Sequence, residues 1–337
     1  MDESRKLLSF FVKILTHFNK WIWEWSLQFM PVNKEKLTVI CPVFNEQVTI
    51  PLFYGRIQKV FQQICNEFDC DLLFVDNCST DGSLNIIKEI RKTDSSVYHL
   101  GLSRNYGYQK SIECGLKHAK GDLFVIIDVD CEDPPEMIPQ FLAKYKEGYQ
   151  IVYGKRVDRV EASYLKWLRK VFYQLTRYVS DENFNLFMAE FGLMTKEVRD
   201  AILMDNNSFP FIRASIGRIG FDSYGIPYKR EPRVAGESHY NLVRMTTFAV
   251  AGILSSSTFL LRMSAYMFVF WVALMGLLLT LSEAFEVKWA FSLFLFLGFV
   301  YCGYSLMAIA IYVARIYKNG LQRPNAIFSR RKTLLQD

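Results

Sequence analysis

Patterns that mark several large classes of protein are missing from this sequence. There is no GxGxxG, which argues against a dinucleotide-binding Rossmann domain, and no Walker A pattern, which argues against a P-loop domain. There is no internal repeat and no low-complexity tract, so neither a repeat protein nor a disordered one is predicted. The seven cysteines include no CxxC pair, which argues against zinc and favours reduced thiols in a domain facing the cytosol.

A large excess of charge of one sign is missing too. Lys and Arg number 40 and Asp and Glu 34, which leaves a net charge of +6. A balance this mild predicts no nucleic-acid partner, although it is compatible with an anionic substrate or a lipid surface.

The first 35 residues lack the features of a cleavable secretory signal peptide. Lysines interrupt every apolar run, and no small-residue cleavage site follows. Lys6, Lys13 and Lys20 recur every seven residues, opposite a face of Trp, Phe and Leu. This pattern predicts an amphipathic helix over residues 1–35 lying in the membrane interface. A helix packed on the rest of its own protein is the alternative.

From residue 36 to about residue 154, short apolar runs alternate with segments of helical periodicity. Strands separated by helices predict an α/β domain with a doubly wound sheet. Strands are predicted at 37–41, 72–75, 97–100, 123–127 and 151–153, and helices at 47–68, 83–92, 108–119 and 137–146.

The fourth apolar run ends in two carboxylates, Asp128 and Asp130. Side chains alternate along a strand, so these two are predicted to point to the same face. Ligands of open α/β sheets bind outside the carboxyl ends of the strands. Two converging carboxylates repel each other unless a cation holds them, and oxygen ligands suit Mg²⁺ or Mn²⁺. An acidic solvated loop is the alternative.

Polar residues also follow the first and second strands, in Pro42–Glu46 and Asp76–Gly82. Together with the acidic pair they predict a crevice for a nucleotide and a metal at one sheet edge. Asp76 is predicted to take a hydrogen bond from the base or the ribose. An Asx turn that caps the next helix would explain Asp76–Gly82 equally well, and both interpretations can hold together.

Four segments in this order resemble the successive signatures of family 2 glycosyltransferases of the GT-A fold. They are Pro42–Glu46, Val75–Ser83, Ser103–Gly107 and Asp128–Pro135. Within that family the chain is most similar to the polyisoprenyl-phosphate glycosyltransferases, which include dolichol-phosphate mannose synthase and bacterial undecaprenyl-phosphate glucosyltransferases. The resemblance covers about residues 36–315 and implies a GT-A catalytic domain with a mixed sheet over residues 36–240.

The resemblance implies inverting, Mg²⁺- or Mn²⁺-dependent transfer of a hexose or N-acetylhexosamine to undecaprenyl or dolichyl phosphate. A UDP-sugar is the favoured donor, with GDP-mannose and another lipid acceptor as alternatives. A processive synthase is disfavoured because no Gln-x-x-Arg-Trp motif is present. A non-catalytic membrane scaffold that keeps the nucleotide fold is the alternative from another class.

The resemblance also implies roles for particular residues. Nucleotide contacts are expected from Pro42, Phe44, Glu46, Asp76, Asn77 and Asp128. Metal ligands are expected from Asp128, Asp130 and Glu132, where Glu132 replaces a common Gln. A second acid that the family often has beside Asp76 is Asn77 here. The expected catalytic residues are Asp130, Glu190, Arg156 and Arg233.

The acceptor phosphate is expected to meet basic residues of two segments. The first, residues 155–180, interleaves basic and aromatic residues, including Arg156 and Arg159, which suits lipid phosphate or a single-stranded nucleic acid; the apolar C-terminus favours lipid. The second resembles the family's Arg-x-x-Gly-x-Ser-Lys-Tyr loop, with Arg233 and Ser238 matching. His239 stands where Lys is usual, so its contact would depend on pH. A surface ion pair is the alternative for Arg233.

Residues 190–194 depart from the family pattern at two positions. Glu190 stands where Asp is usual and is expected to face the acceptor, and Gly192 stands where Arg is usual. One usual phosphate contact is therefore missing from this segment.

Two uncharged stretches, 263–282 and 289–314, are long enough to span a bilayer. They predict a two-helix transmembrane region over residues 261–315, preceded by juxtamembrane helices over 241–260 and followed by a basic tail over 316–337. Basic outer flanks and an acidic hairpin predict that both termini and the catalytic domain are cytoplasmic. A bacterial plasma membrane is favoured over the ER membrane, and a homo-oligomer is expected. Two buried core helices are the alternative.

Overall fold

The computed structural model describes residues 34–157, 188–205, 207–208, 210–232, 257–284 and 288–335. The chain divides into two compact units, Met1–Glu35 and Lys36–Asp337, and the second carries the fold described below. Apart from a few terminal residues, the predicted interfacial helix of residues 1–35 and juxtamembrane helices of 241–260 lie outside the described residues. Most of the predicted acceptor loop of residues 155–180 does too.

Within the described residues, seven strands form one mixed sheet in the order β3-β2-β1-β4-β6-β5-β7. They are β1 Glu35–Val43, β2 Phe68–Asp76, β3 Val97–Gly101, β4 Leu123–Ile126, β5 Ile151–Arg156, β6 Met188–Thr195 and β7 Ser223–Tyr228. Strand β6 runs antiparallel to β4 and β5, whereas β1 pairs with β4, β2 with β3, and β5 with β7 in parallel. The predicted α/β fold with a doubly wound mixed sheet is confirmed.

Helices connect the strands. They are α1 Thr49–Ile64, α2 Ser83–Thr93, α3 Tyr108–His118, α4 Ile138–Lys146, α5 Lys196–Leu203 and α6 Ile212–Ile219. The first four match the helices predicted from periodicity, except that the prediction carried α1 on to Phe68. Phe68 instead begins β2, where it is buried. Strands β6 and β7 and helices α5 and α6 were not predicted.

Apolar residues at helical spacing explain how the helices pack on the sheet. In α1, Ile50, Phe53, Ile57 and Phe61 recur every three or four residues, and all four are buried. All of β4 is buried as well, because it lies inside the sheet with layers packed on both faces. Each fully buried side chain of this size contributes about 1.5–3 kcal/mol of transfer free energy.

Two long helices, α7 Phe259–Ala284 and α8 Lys288–Gly320, follow the sheet and its connecting helices. Both are long and apolar enough to cross a membrane, and only 11% and 6% of their apolar stretches are buried. Hydroxyl groups of α8 donate to α7 carbonyls, Tyr301 to Ser264 at 2.9 Å and Tyr304 to Leu260 at 3.2 Å. Later residues of α8 thus meet earlier residues of α7, so the helices are antiparallel, and these polar groups are satisfied inside the pair.

Gly192 of β6 lies where a side chain does not fit. A Cβ atom at this position would lie 2.8 Å from the carbonyl oxygen of Val152 and 3.1 Å from the Cα atom of Tyr153. Both are backbone atoms of the neighbouring strand, so relief would require the two strands to move apart. The Arg that the family resemblance leads one to expect at this position is therefore excluded by packing.

We expect Gly192→Ala to lower the free energy of unfolding by about 1–3 kcal/mol, because overpacking displaces the β5–β6 pair. Gly55→Ala is the matched control, since Gly55 lies exposed inside α1 with no atom within 4 Å of the added Cβ. That control should stabilise the protein by about 0.5–1 kcal/mol, through helix propensity. Chemical denaturation of both variants measures the difference, and equal effects of the same sign would contradict the packing argument.

Candidate active site

The loops that follow β1 and β2 are held together by reciprocal hydrogen bonds. The backbone N–H of Asn45 donates to Ser79 Oγ at 3.0 Å, and the N–H of Thr80 donates to Asn45 Oδ1 at 2.8 Å. The N–H of Glu46 donates to Ser83 Oγ at 2.9 Å. Asn45 has a φ of 56°, which an Asn tolerates better than most residues. The two predicted nucleotide-binding segments thus form one rigid rim.

Within this rim the predicted nucleotide contacts have different surroundings. Phe44 is exposed and Pro42 is buried. Asp76 is 1% exposed and accepts a hydrogen bond from the N–H of Ser79. This hydrogen bond is the Asx turn that was the alternative explanation for Asp76–Gly82. The Asp76 side chain lies at the sheet edge, so a nucleotide contact by the same residue stays a prediction.

Asn77 is 5% exposed, and both ends of its side chain are used within the protein. Its amide donates to Asn105 Oδ1 at 2.9 Å, and its carbonyl accepts from the N–H of Tyr106 at 2.9 Å. Asn77 therefore ties the loop after β2 to the loop after β3. Its predicted contact with the base stays a prediction.

Asp128 and Asp130 lie in a turn rather than on a strand, because β4 ends at Ile126. The strand ends one residue before its predicted end, so the alternation that was used to place both carboxylates on one face does not apply to them. Cys131, with a φ of 60°, shows how sharply the chain turns. The two carboxylates are nevertheless close enough to interact. Burial and the charge of Asp130 raise the pKa of Asp128 to about 7, against the lowering effect of the Tyr108 hydrogen bond.

Tyr108, at the start of α3, supports this turn from the helix side. Its hydroxyl donates to Asp128 Oδ1 at 2.6 Å. Burial, and then the charges of Asp128 and Glu190, raise the pKa of Tyr108 well above its usual range. The phenol therefore stays protonated and remains a donor to the carboxylate.

Two arginines from distant strands face the acidic turn. Arg230, after β7, pairs with Glu132 at 2.5 Å and lies 3.9 Å from Asp130 Oδ2 and 3.5 Å from Asp133 Oδ1. Arg156, at the end of β5, pairs with Asp133 at 3.1 Å. Positive charge is thus supplied to the turn by residues far away in sequence.

Asp133, Arg156 and Tyr228 form a buried group at the end of the acidic turn. Asp133 is 1% exposed and accepts from the hydroxyl of Tyr228, which itself accepts from Arg156 Nε at 3.0 Å. Burial lowers the pKa of Arg156, but the charge of Asp133 and the contact with Tyr228 outweigh it and raise the pKa overall. Arg156 is therefore a fixed cation in the wall of the site.

Glu190, on β6, is held from two helices. Gln109 of α3 donates to Glu190 Oε1 at 2.5 Å, and Arg213 of α6 lies 3.2 Å from the same oxygen. Gln109 also accepts from the N–H of Ile212 at 3.3 Å, so α3 and α6 are linked at this point. The side chain of Glu190 is only 7% exposed and is oriented by both partners.

Comparison with known proteins identifies the family. The family model for glycosyl transferase family 2 matches residues 38–203. The bactoprenol glucosyl transferase of Shigella phage SfV is 33% identical over 88% of this chain and 99% of that protein. This chain belongs to glycosyltransferase family 2. It is an enzyme of the polyprenyl-phosphate glycosyltransferase group within that family, as the resemblance implied.

Two further matches extend the comparison. The undecaprenyl-phosphate 4-deoxy-4-formamido-L-arabinose transferase of Klebsiella pneumoniae is 29% identical over 90% of this chain and 95% of that protein. Among solved structures, the mannosyltransferase PcManGT from Pyrobaculum calidifontis, in complex with GDP-Man and Mn²⁺, is 16% identical with a TM-score of 0.42. That match covers 87% of this chain and 88% of the other.

The acidic turn fits a divalent cation in part. Among the described residues, no group of three or more His, Cys, Asp or Glu side chains could hold a metal ion alone. Asp128 and Asp130 form an oxygen-only pair whose mutual repulsion a cation would relieve. Mg²⁺ usually takes one or two carboxylates and completes its shell with water and substrate phosphates, which suits such a pair. Glu132 has Arg230 as a cationic partner, and its role as a ligand stays a prediction.

The other predicted acceptor-phosphate residues, Arg159, Arg233, Ser238 and His239, lie outside the described residues.

The structure adds four residues that were not singled out as site residues: Tyr108, Gln109, Arg213 and Arg230. Tyr108 directly follows the motif Ser103–Gly107, so its position was available from the sequence. Arg213 and Arg230 act through non-local pairs, which no local pattern signals.

We expect Asp128→Asn to stabilise the metal-free protein, and to do so more at pH 8 than at pH 5. A carboxyl whose folded pKa is about 7 binds a proton in the folded state that the unfolded chain has released, so stability falls as pH rises from about 4 to 7. The amide variant removes that dependence. Thermal unfolding in detergent with a chelator, between pH 5 and 8, measures it.

Asp81→Asn is the control of opposite sign. Burial raises the pKa of Asp81, but its hydrogen bonds with Ser83 and Gln47 outweigh this and lower the pKa overall. Its stabilisation is complete above the unfolded pKa, so this variant should lose a constant amount of stability over the same pH range. A pH-independent effect of Asp128→Asn would contradict the raised pKa.

Proposed function

We propose that this enzyme transfers a hexose or N-acetylhexosamine from a nucleotide sugar, with a UDP-sugar favoured, to polyprenyl phosphate on the cytoplasmic face of a membrane. One observation carries the proposal. A single compact unit contains both the carboxylate crevice and the apolar pair α7–α8. The N–H of Ser208, before α6, donates to Asn319 near the end of α8 at 3.0 Å. Relatives named for bactoprenol and undecaprenyl phosphate support this acceptor.

The donor would lie in the crevice with its diphosphate toward Asp128 and Asp130. Bound there, Mg²⁺ or Mn²⁺ supplies charge neutralisation of the leaving diphosphate. The protein holds the two carboxylates in place through Tyr108 and through the bond from the N–H of Glu132 to Asp130 Oδ1 at 3.1 Å. The base of the donor nucleotide would extend along the rim formed by the loops after β1 and β2.

The acceptor demands positioning more than deprotonation. A phosphate monoester with a second pKa near 6 is mostly dianionic at neutral pH. Glu190, held by Gln109 and Arg213, would orient the acceptor, and Arg156 and Arg213 would offset repulsion between two anions. In-line attack from the opposite face inverts the anomeric centre. Contacts from Arg159, Arg233, Ser238 and His239 would complete the phosphate site.

The proposal is tested with purified full-length protein, Mn²⁺ or Mg²⁺, a panel of UDP- and GDP-sugars, and undecaprenyl or dolichyl phosphate. A glycolipid of inverted configuration is the expected product. Asp130→Asn should lower turnover at least about 100-fold, because the diphosphate loses its metal. Glu89→Gln, an exposed surface change, should leave turnover unaltered. Release of UDP or GDP without acceptor distinguishes a live enzyme from a scaffold, and no product with any donor would refute the proposal.

We expect Arg213→Met to lower kcat/KM for the lipid acceptor about tenfold or more while KM for the donor stays within about twofold. The guanidinium orients Glu190 and neutralises the acceptor side, and neither effect reaches the nucleotide. Arg218→Met is the matched control, because Arg218 lies on the same helix and pairs with Asp205 instead. Steady-state kinetics with donor and acceptor varied in turn measures the effect on each substrate. An equal loss in both variants would count against the role of Arg213.

A further inference from the structure

The segment 321–335, which we call the C-terminal tail, follows α8 and pairs with the edge strand β3. The N–H of Ser103 donates to Ile327 O at 2.8 Å, and the N–H of Ser329 donates to Gly101 O at 2.8 Å. The backbones of His99 and Leu334 bond to each other in both directions, at 3.0 and 2.8 Å. The predicted basic tail is thus an ordered strip that covers the open edge of the sheet.

The tail also approaches the carboxyl end of β3 unusually closely. A Cβ atom on Gly101 would lie 2.6 Å from both the Cβ and the carbonyl oxygen of Lys332. Only a glycine permits this contact. Gly101 stands opposite Asp76 in the β2–β3 register, so the tail passes directly beside the predicted nucleotide rim.

Lys332 points its ammonium group toward that rim. Its Nζ atom lies 4.0 Å from the Sγ atom of Cys78, two residues beyond Asp76. Cys78 has a φ of 62° and its thiol donates to Ser103 O, so the loops after β2 and β3 and the tail meet here. Lys332 is half-buried, whereas its neighbour Arg331 is exposed.

The present partner of this ammonium group is a poor one. A thiol is a weak acceptor, and Lys332 has no carboxylate partner among the described residues. An ammonium group is a donor of three hydrogen bonds and accepts none. An ammonium group on a half-buried side chain, with a thiol as its partner, therefore favours a ligand that brings an oxygen acceptor.

The sheet indicates which part of a nucleotide reaches this point. The diphosphate belongs at the acidic turn after β4, and Lys332 lies at the far side, by β3. Strands β4, β1, β2 and β3 are neighbours in that order, and three spacings of about 4.8 Å give about 14 Å. An extended nucleoside diphosphate covers such a distance, so its base, not its phosphates, lies at the Lys332 end.

We propose that Lys332 is a specificity-determining residue that donates a hydrogen bond to a carbonyl oxygen of the nucleotide base. This inference rests on the proposed function and deepens it. Uracil and guanine offer an exocyclic oxygen where cytosine and adenine offer an amino group, which is a donor. The ammonium group would attract the first pair and repel the second. The C-terminal tail is then part of the donor site.

The test compares binding of UDP with CDP, and of GDP with ADP, to the full chain in detergent by calorimetry with Mn²⁺ present. Wild-type protein should favour the base with the carbonyl oxygen. Lys332→Met should reduce that preference about 10- to 100-fold by weakening the favoured nucleotide. Arg331→Met removes the same charge one residue away and should keep the wild-type preference. A preference unchanged in Lys332→Met overturns the proposal, and so does an equal loss for both bases of a pair.

Gly101→Ala provides a second route, because it displaces the tail without altering Lys332. It should also lose the preference for the carbonyl-bearing base, with unfolding temperature recorded alongside. If it retains that preference, the tail does not supply the contact and the proposal fails. If Lys332→Met transfers sugar and keeps the preference for the carbonyl-bearing base, this inference is overturned while the proposed function stands. Absence of nucleotide binding and transfer in wild-type protein overturns both.

Discussion

Like charge crowded into the turn after β4 is the constraint on which the rest of the structure depends. Asp128, Asp130, Glu132 and Asp133 fall within six residues, and the charge of Asp130 helps to raise the pKa of Asp128. Two unit charges 4 Å apart interact by about 4 kcal/mol at an effective dielectric constant near 20. A turn of this kind is stable only if other parts of the fold bring positive charge to it. The arrangement of β5, β6 and β7 can be understood as the way this chain does so.

The sheet has two halves with different tasks. The half formed by β3, β2, β1 and β4 places its loops along one edge, and hydrogen bonds between Asn45 and the loop after β2 make a rigid rim. The half formed by β6, β5 and β7 brings Glu190, Arg156 and Arg230 to the same turn. Because β6 is antiparallel to β4 and β5, its first residues lie at the sheet edge where β4 and β5 end, which is the edge of the acidic turn. The proposed donor and acceptor would thus meet where the two halves join.

The sequence predicted the first half well because its signals are local. Apolar runs and helical periodicity located β1 to β5 and α1 to α4 within a few residues. It did not predict β6 and β7, because an antiparallel insertion such as β6 depends on pairing with distant strands. The alternation argument for Asp128 and Asp130 failed for a related reason: it assumes that the strand continues, and the chain turns after Ile126. Arg213 and Arg230 were missed because each pairs with a distant acid.

The tail and α8 connect these features to the apolar helices. Asn319, near the end of α8, is bonded to Ser208, and Asn325 donates to Glu113 of α3 at 2.9 Å. Burial raises the pKa of Glu113 against the lowering effect of the Asn325 hydrogen bond, which shows that this contact is partly removed from water. The chain then continues along β3 to Lys332. If α7 and α8 lie in a bilayer, this path holds the proposed nucleotide rim and Glu190 at fixed positions relative to the membrane. The segment that leaves the apolar helices also completes the edge of the sheet. The proposed soluble donor and lipid-bound acceptor would then meet without a large movement of the sheet relative to α7 and α8.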